Sequence, residues 1–252
     1  MAEFIPPTLA SETIFHIGSF EFRNTLITAI MTLIVLVFIG LVLKRKKYAL
    51  VPGGFQNLVE VVVGGLFDFF KGVVGDESKA RKFFPLVATI FLFVIISNWM
   101  GLLPGFGSIG LWEIEEGEKI FVPIFRSTYA DVNMTLALAL ISVTAVQAFG
   151  IGILGFKKYA HKFFVSPLKD PIGCFVGLLE LMSEFSKMIS FSFRLFGNVF
   201  AGEVLLLVIS FLVPYIIPLP FYGLELFVGF IQALVFSFLT TVFLTIGTTA
   251  HH

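Results

Sequence analysis

The chain has 252 residues, of which 57% are hydrophobic and only 13% charged, and its mean hydropathy is +0.98. About a quarter of the residues of a soluble domain are charged, so a soluble fold is excluded. Seventeen basic residues balance seventeen acidic ones, and a net charge of zero gives no general basis for nucleic-acid binding.

Thirty-three phenylalanines and several uninterrupted apolar runs, each near the roughly 20 residues that cross a bilayer, predict helical spans rather than a barrel of short alternating strands. The expected fold class is all-α and polytopic. Residues 1–24 read as an extramembrane tail and residues 25–252 as a single membrane domain. Glu3, Glu12 and Glu21 in the tail, with no basic stretch before an apolar core, do not resemble a cleaved signal peptide. The lone Cys174 has no Cys/His cluster around it and reads as a small packing residue, so no metal or other cofactor is expected.

Thr25 to Leu43 is an uncharged run that stops at Lys44, Arg45, Lys46 and Lys47, which predicts one span with its basic end in the cytoplasm. Phe55 to Val74 is long enough to cross, but Asn57, Glu60, Gly64, Asp68 and Lys71 step by three or four residues along one helical face. That pattern predicts a helix lying in the membrane interface. Phe83 to Leu103 is the second span, ending at Pro104 and Gly105; the glycine-rich stretch through Gly107 and Gly110 reads as a flexible turn and not a phosphate cradle. Val132 to Leu154 is the third, with Asp131 as its N-cap. Ile172 to Val213 and Phe221 to Thr249 complete the set, separated by a turn containing Pro214, Pro218 and Pro220.

Five spans place Lys44 to Lys47, Lys71, Lys79, Arg81, Lys82, Lys157, Lys158, Lys162 and Lys169 inside, leaving only Arg23, Lys119 and Arg126 outside. A sixth span at Phe55 to Val74 would send Lys157 to Lys169 outside and the acidic loop Glu113, Glu115, Glu116 and Glu118 inside. The charge bias therefore predicts an external N-terminus and a cytoplasmic C-terminus.

Ile172 to Val213, unbroken, would be about 63 Å long at 1.5 Å per residue, against a hydrocarbon core of about 30 Å. It is either broken or steeply tilted, and tilt of that size implies a curved partner surface. Gly173, Gly177, Gly197 and Gly202 are places where another backbone could approach. The same segment carries Glu180, Glu184, Lys187, Arg194 and Glu203. Each charge costs roughly 2.5 to 3.5 kcal/mol at a span centre on insertion scales, which points to a water-filled path or a set of charge partners.

Glu180, Ser183, Glu184, Lys187, Ser190, Arg194 and Asn198 recur at helical spacing and form one polar stripe. Glu203, nine residues beyond Arg194, is turned by about 180° and advanced by about 13 Å, so it should serve a different aqueous pocket. Glu184 and Lys187 stand at i,i+3 and fit either a self-neutralising pair or a functional role. Arg194 has no acidic residue three or four positions away and cannot discharge by losing a proton, so an acidic partner from elsewhere is expected. In the last segment Glu225, Gln232 and Thr240 fall near one face, which suits a hydrated proton path or, for Gln232, a packing hydrogen bond.

The run Arg194-Leu195-Phe196-Gly197-Asn198-Val199-Phe200-Ala201-Gly202-Glu203 resembles the signature of the F-type ATP synthase a subunit. Leu179-Glu180-Leu181 with Ser183 and Lys187, Asp131-Val132-Asn133-Met134-Thr135, and Gln232-Ala233 are similar to that family as well. The resemblance implies proton translocation through two offset half-channels beside a rotating c-ring, in a non-catalytic subunit that also meets b subunits and binds no nucleotide. It implies that Arg194 faces the ring carboxylates, that Glu203, Glu225 and Gln232 line the proton path, and that the long helix follows the ring's flank. Some members carry His at the position of Glu225. The coupled ion, H⁺ or Na⁺, is left open, since the ring carries that choice.

Two other classes fit parts of the pattern: a secondary transporter or channel in which Arg194 binds an anion, and a proton-conducting subunit of a respiratory complex. Five spans without a repeat disfavour the first, and a co-purifying ring of small hairpins would exclude the second. The basic loops and the absence of a targeting segment suit a bacterial inner membrane.

Overall fold

The computed structural model describes residues 11–45, 53–115, 118–163 and 171–249. Glu3, Lys46, Lys47, Glu116 and Lys169, used above in the tail, charge and loop arguments, lie outside those residues.

The described part of the tail is largely a hairpin. β1 (Thr13–Ile17) and β2 (Phe20–Arg23) form an antiparallel hairpin that turns at Gly18, whose φ of 63° suits a residue without a side chain. Its end is tied down, because the Asn24 amide donates to the Glu12 carbonyl at 3.1 Å as α1 (Asn24–Arg45) begins.

α1 is built inside out relative to a soluble helix. Its buried residues are Asn24, Thr25, Thr28 and Thr32, whereas Leu33, Ile34, Val37, Phe38 and Leu41 are exposed. In lipid the apolar face is the solvated one, and polar side chains turn inward to find partners. Thr28 and Thr32 donate back to the carbonyls of Asn24 and Thr28, and Ser97 donates to Thr32 Oγ1.

α2 (Gly54–Val74) ends at Gly75, in the left-handed region at φ 73°, whose amide donates to the Lys71 carbonyl. Asp76 then caps α3 (Glu77–Gly101) by accepting from the Ser78 amide at 2.7 Å. α3 thus starts six residues before the expected span, because the charged residues from Glu77 to Lys82 form its first turns. The expected flexible stretch around Gly105 to Gly110 is ordered: a 3₁₀ turn (Phe106–Ser108) leads into the antiparallel pair β3 (Gly110–Glu115) and β4 (Glu118–Pro123). Gly110 is required there, since a Cβ would collide with the Val122 carbonyl and the Phe121 ring.

Asp131 caps α4 (Val132–Leu154) as expected, accepting from the Asn133 amide at 2.8 Å. Gly155, at φ 81°, turns the chain into a short helix that the sequence did not announce, α5 (Phe156–Phe163). α6 (Pro171–Leu212) runs unbroken for 42 residues, which removes the broken-helix alternative, and α7 (Pro218–Gly247) follows. Five helices among the described residues, α1, α3, α4, α6 and α7, are long and apolar enough to cross a membrane, and α2 is not among them. The protein is an all-α polytopic membrane protein with two small hairpins outside its spans.

Two compact units emerge. The first comprises the described parts of Met1–Lys46 with Phe91–Thr135 and Phe193–Leu234; the second comprises those of Lys47–Ile90, Leu136–Ser192 and Val235–His252. The core of the second unit joins four helices through Phe70 and Val74, Phe83 and Val87, Val146, and Leu244. In each unit α6 packs against α7: Phe191 on Phe236 with ring centroids 4.7 Å apart in the second, Gly202 on Glu225 in the first.

Candidate functional site

In the first unit α3, the segment before α4, α6 and α7 line a partly open cavity of about 330 Å³. Its polar lining includes Asn98, Arg126, Glu203, Glu225 and Gln232. Three of the residues expected from sequence, Glu203, Glu225 and Gln232, are thus brought together.

Their placement follows from local structure. Glu225 and Gln232 are two turns apart on α7 and present one face. Gly202 leaves α6 without a side chain where the Glu225 carboxyl presses against it, so the carboxyl sits next to the turn that carries Glu203. Asn98 is buried and ties α3 to α7 by donating to the Gly229 carbonyl at 3.1 Å, and its Oδ1 is a buried acceptor with no hydrogen-bond partner. A second tie comes from Trp99, whose indole donates to the Leu226 carbonyl at 3.1 Å.

Arg126 is the residue whose role the sequence did not announce. It was counted only as one of the few external basic residues, yet it is 7% exposed and its Nε donates to Glu203 Oε1 at 3.1 Å. Glu203 Oε2 is buried without a hydrogen-bond partner. A charge buried to this degree is tolerated only when paired. The ion pair spans 77 positions, which no helical period could signal.

The second unit holds the other polar cluster. Lys187 Nζ donates to Glu184 Oε1 at 2.7 Å, and Gln147 of α4 donates to Glu184 Oε2 at 3.0 Å. Tyr159 of α5 donates to Gln147 Oε1, which fixes the amide with its NH₂ toward Glu184. Burial and the Glu184 and Glu180 carboxylates push the Tyr159 phenol up to about 12, so it remains a donor. Lys162 pairs with Glu180 at 2.6 Å. α5 therefore docks on the start of α6, where Gly177 leaves room for the Phe163 carbonyl. Lys187 also lies over the Phe243 ring, 4.6 Å from its centroid. Glu184 and Lys187 are the i,i+3 pair the spacing allowed, enlarged by Gln147 and Tyr159. Thr240 is buried in the same unit, 2.9 Å from Ser142 Oγ, and does not line the cavity of Glu225 and Gln232.

The α6 stripe divides by exposure. Glu180, Glu184, Lys187 and Asn198 are half-buried, whereas Ser183, Ser190 and Arg194 are exposed. Of the four glycines of α6, Gly177 and Gly202 meet close neighbours, whereas Gly197 faces open space. Next to it, Arg194 and Gly197 leave an uncovered patch in the middle of a long apolar helix.

The family model described as ATP synthase A chain matches residues 25–245. The chain is 36% identical over 234 residues to ATP synthase subunit a of Campylobacter jejuni, covering 91% of this chain and 89% of that one. It is 37% identical over 216 residues to ATP synthase subunit a of Helicobacter pylori, covering 85% of each. That match reaches from the first span into α7, and the chain belongs to the ATP synthase A chain family.

Proposed function

We propose that this chain passes protons across a bacterial inner membrane beside the c-ring of an F-type ATP synthase, anchored with the b subunits, its N-terminus outside and its C-terminus in the cytoplasm. Protons enter from outside through the cavity of Glu203, Glu225 and Gln232, with Asn198 near its ring-facing end. They leave toward the cytoplasm past Ser183 and the Glu180 end of α6, where Lys187 and Glu184 supply a fixed charge pair. The observation that carries this reading is the cavity itself: two carboxylates and an amide converge in a space of about 330 Å³, roomy enough for several waters, between helices long and apolar enough to span a membrane. Intramembrane ionisable groups lining a cavity are the expected furniture of a proton path.

Arg194 supplies the order of events. A protonated ring carboxyl can face lipid and an ionised one cannot, so each ring site must be protonated before it leaves the interface. An exposed guanidinium on α6 attracts the ionised carboxylate, favours release of its proton to one half-channel, and repels protons that would hop directly to the other. The unbroken 42-residue α6 suits a tilted path along a curved ring. Each proton descending 100 mV supplies about 2.3 kcal/mol, so several passages must be summed by rotation before they drive ATP synthesis.

The test is to purify the chain with its native partners and reconstitute the complex in vesicles. A ring of helical hairpins bearing a mid-membrane Asp or Glu should co-purify, and ATP should drive proton uptake. A complex lacking such a ring, or one whose uptake is indifferent to Arg194→Ala, would contradict the reading.

A further inference from the structure

The cavity of Glu203 and Glu225 has the donor set of a metal-cation site as much as that of a proton relay. Two carboxylates, the unpartnered Oδ1 of Asn98 and the amide of Gln232 line one space of about 330 Å³. Hard cations such as Na⁺ are held by several oxygens together with net negative charge. One feature opposes this: Arg126, buried and permanently charged, takes Glu203 Oε1. The titratable or charged residues lining the cavity are Arg126, Glu203, Glu225 and Tyr222. With Arg126 paired to Glu203, Glu225 is left as the one carboxylate without a countercharge among these lining side chains.

We propose that Arg126 is a specificity-determining residue, which keeps alkali cations out of the external half-channel while leaving it open to protons. The asymmetry is chemical. A proton needs a single oxygen at a time and can travel by way of water, Gln232 and one carboxylate at once. A sodium ion must gather most of the cavity's oxygens, and the guanidinium both occupies one of them and repels the ion at close range. Selectivity in this chain would then add to whatever selectivity the ring supplies. The proposal rests on the translocation reading above.

The experiment uses the whole complex in vesicles and follows ATP-driven proton uptake while NaCl replaces choline chloride at constant ionic strength and pH. Wild type should be indifferent to the exchange. Arg126→Gln should be inhibited by Na⁺, with a half-inhibitory concentration at least tenfold below the highest NaCl concentration that leaves wild type unaffected, and acidification should relieve the inhibition. Arg126→Lys, which keeps the charge, should stay indifferent. A merely structural role for Arg126 would lower uptake in all salts alike.

Arg126→His decides the matter should Arg126→Gln fail to assemble. Its charge is present at acid pH and lost near neutrality, so inhibition by Na⁺ should appear only as the pH is raised. Na⁺-indifferent uptake by Arg126→Gln, or by Arg126→His at all pH values, would overturn the proposal. Inhibition or stimulation of wild type by Na⁺ would do so too. None of these outcomes touches the translocation reading, which falls if no ring co-purifies or if Arg194→Ala leaves uptake intact.

Discussion

The carboxyl of Glu225 occupies the space that a side chain on Gly202 would need, so α6 and α7 meet at that point through a carboxylate against bare backbone. On the proposed proton path this contact should matter for function more than for stability. Because the colliding atoms are the far end of a flexible side chain, Gly202→Ala should let Glu225 swing aside while gaining up to about 1 kcal/mol of helix propensity. We expect a complex of undiminished thermal stability whose proton uptake falls severalfold. Unchanged uptake would show that the position of Glu225 is immaterial.

Gly150 gives the opposite case. A Cβ there would strike the buried Tyr159 ring and stand 3.0 Å from the Gly247 carbonyl, neither of which can retreat cheaply. Gly150→Ala should cost about 1–3 kcal/mol as overpacking and lower the thermal midpoint of the complex. A midpoint equal to that of wild type would contradict the docking of α5 described above.

The contrast between these two glycines marks what was legible in the sequence. The spans were legible because apolar runs of bilayer length need no tertiary information: α4 coincides with its expected bounds, and α6 and α7 lie within three residues of theirs at either end. The polar face of α2 and the Asp131 cap were legible for the same reason, since both are local patterns. Glu203, Glu225 and Gln232 stood out because charge and amide are costly in apolar helices. Arg126 and Tyr159 did not, since each lies outside a span, where polar residues are ordinary, and each acquires its role only from a partner distant in sequence or on another element. α5 was hidden by its length of 8 residues and its basic composition, which read as a cytoplasmic loop.

Topology can be tested directly. Cysteines placed at Ser78, at the start of α3, and at Lys158, in α5, should both react with a membrane-impermeant maleimide from the cytoplasmic side. One at Ser108, in the turn before β3, should react from the outside. Labelling of Ser78 and Ser108 from the same side would defeat the five-span arrangement.

The proposed pair of half-channels predicts opposite access along one helix. Cysteines replacing Ser183 and Glu203 on α6 should be reached by silver ions from opposite faces of the membrane, the first from the cytoplasm and the second from outside. Equal access from one face would reject the assignment of Glu203 to the external path.

The central claim is that Arg194 works as a permanent charge that orders proton release, and substitution by lysine tests it most directly. A desolvated lysine can lose its proton, and its point charge lacks the planar fork able to follow a moving carboxylate. With the complete complex in vesicles under an imposed proton-motive force, ATP synthesis and passive proton flux should be measured for wild type, Arg194→Ala and Arg194→Lys. The account predicts that Arg194→Ala abolishes coupled synthesis and that Arg194→Lys does so nearly as completely. Near-normal coupled synthesis by Arg194→Lys would mean that any local positive charge suffices, and would contradict it.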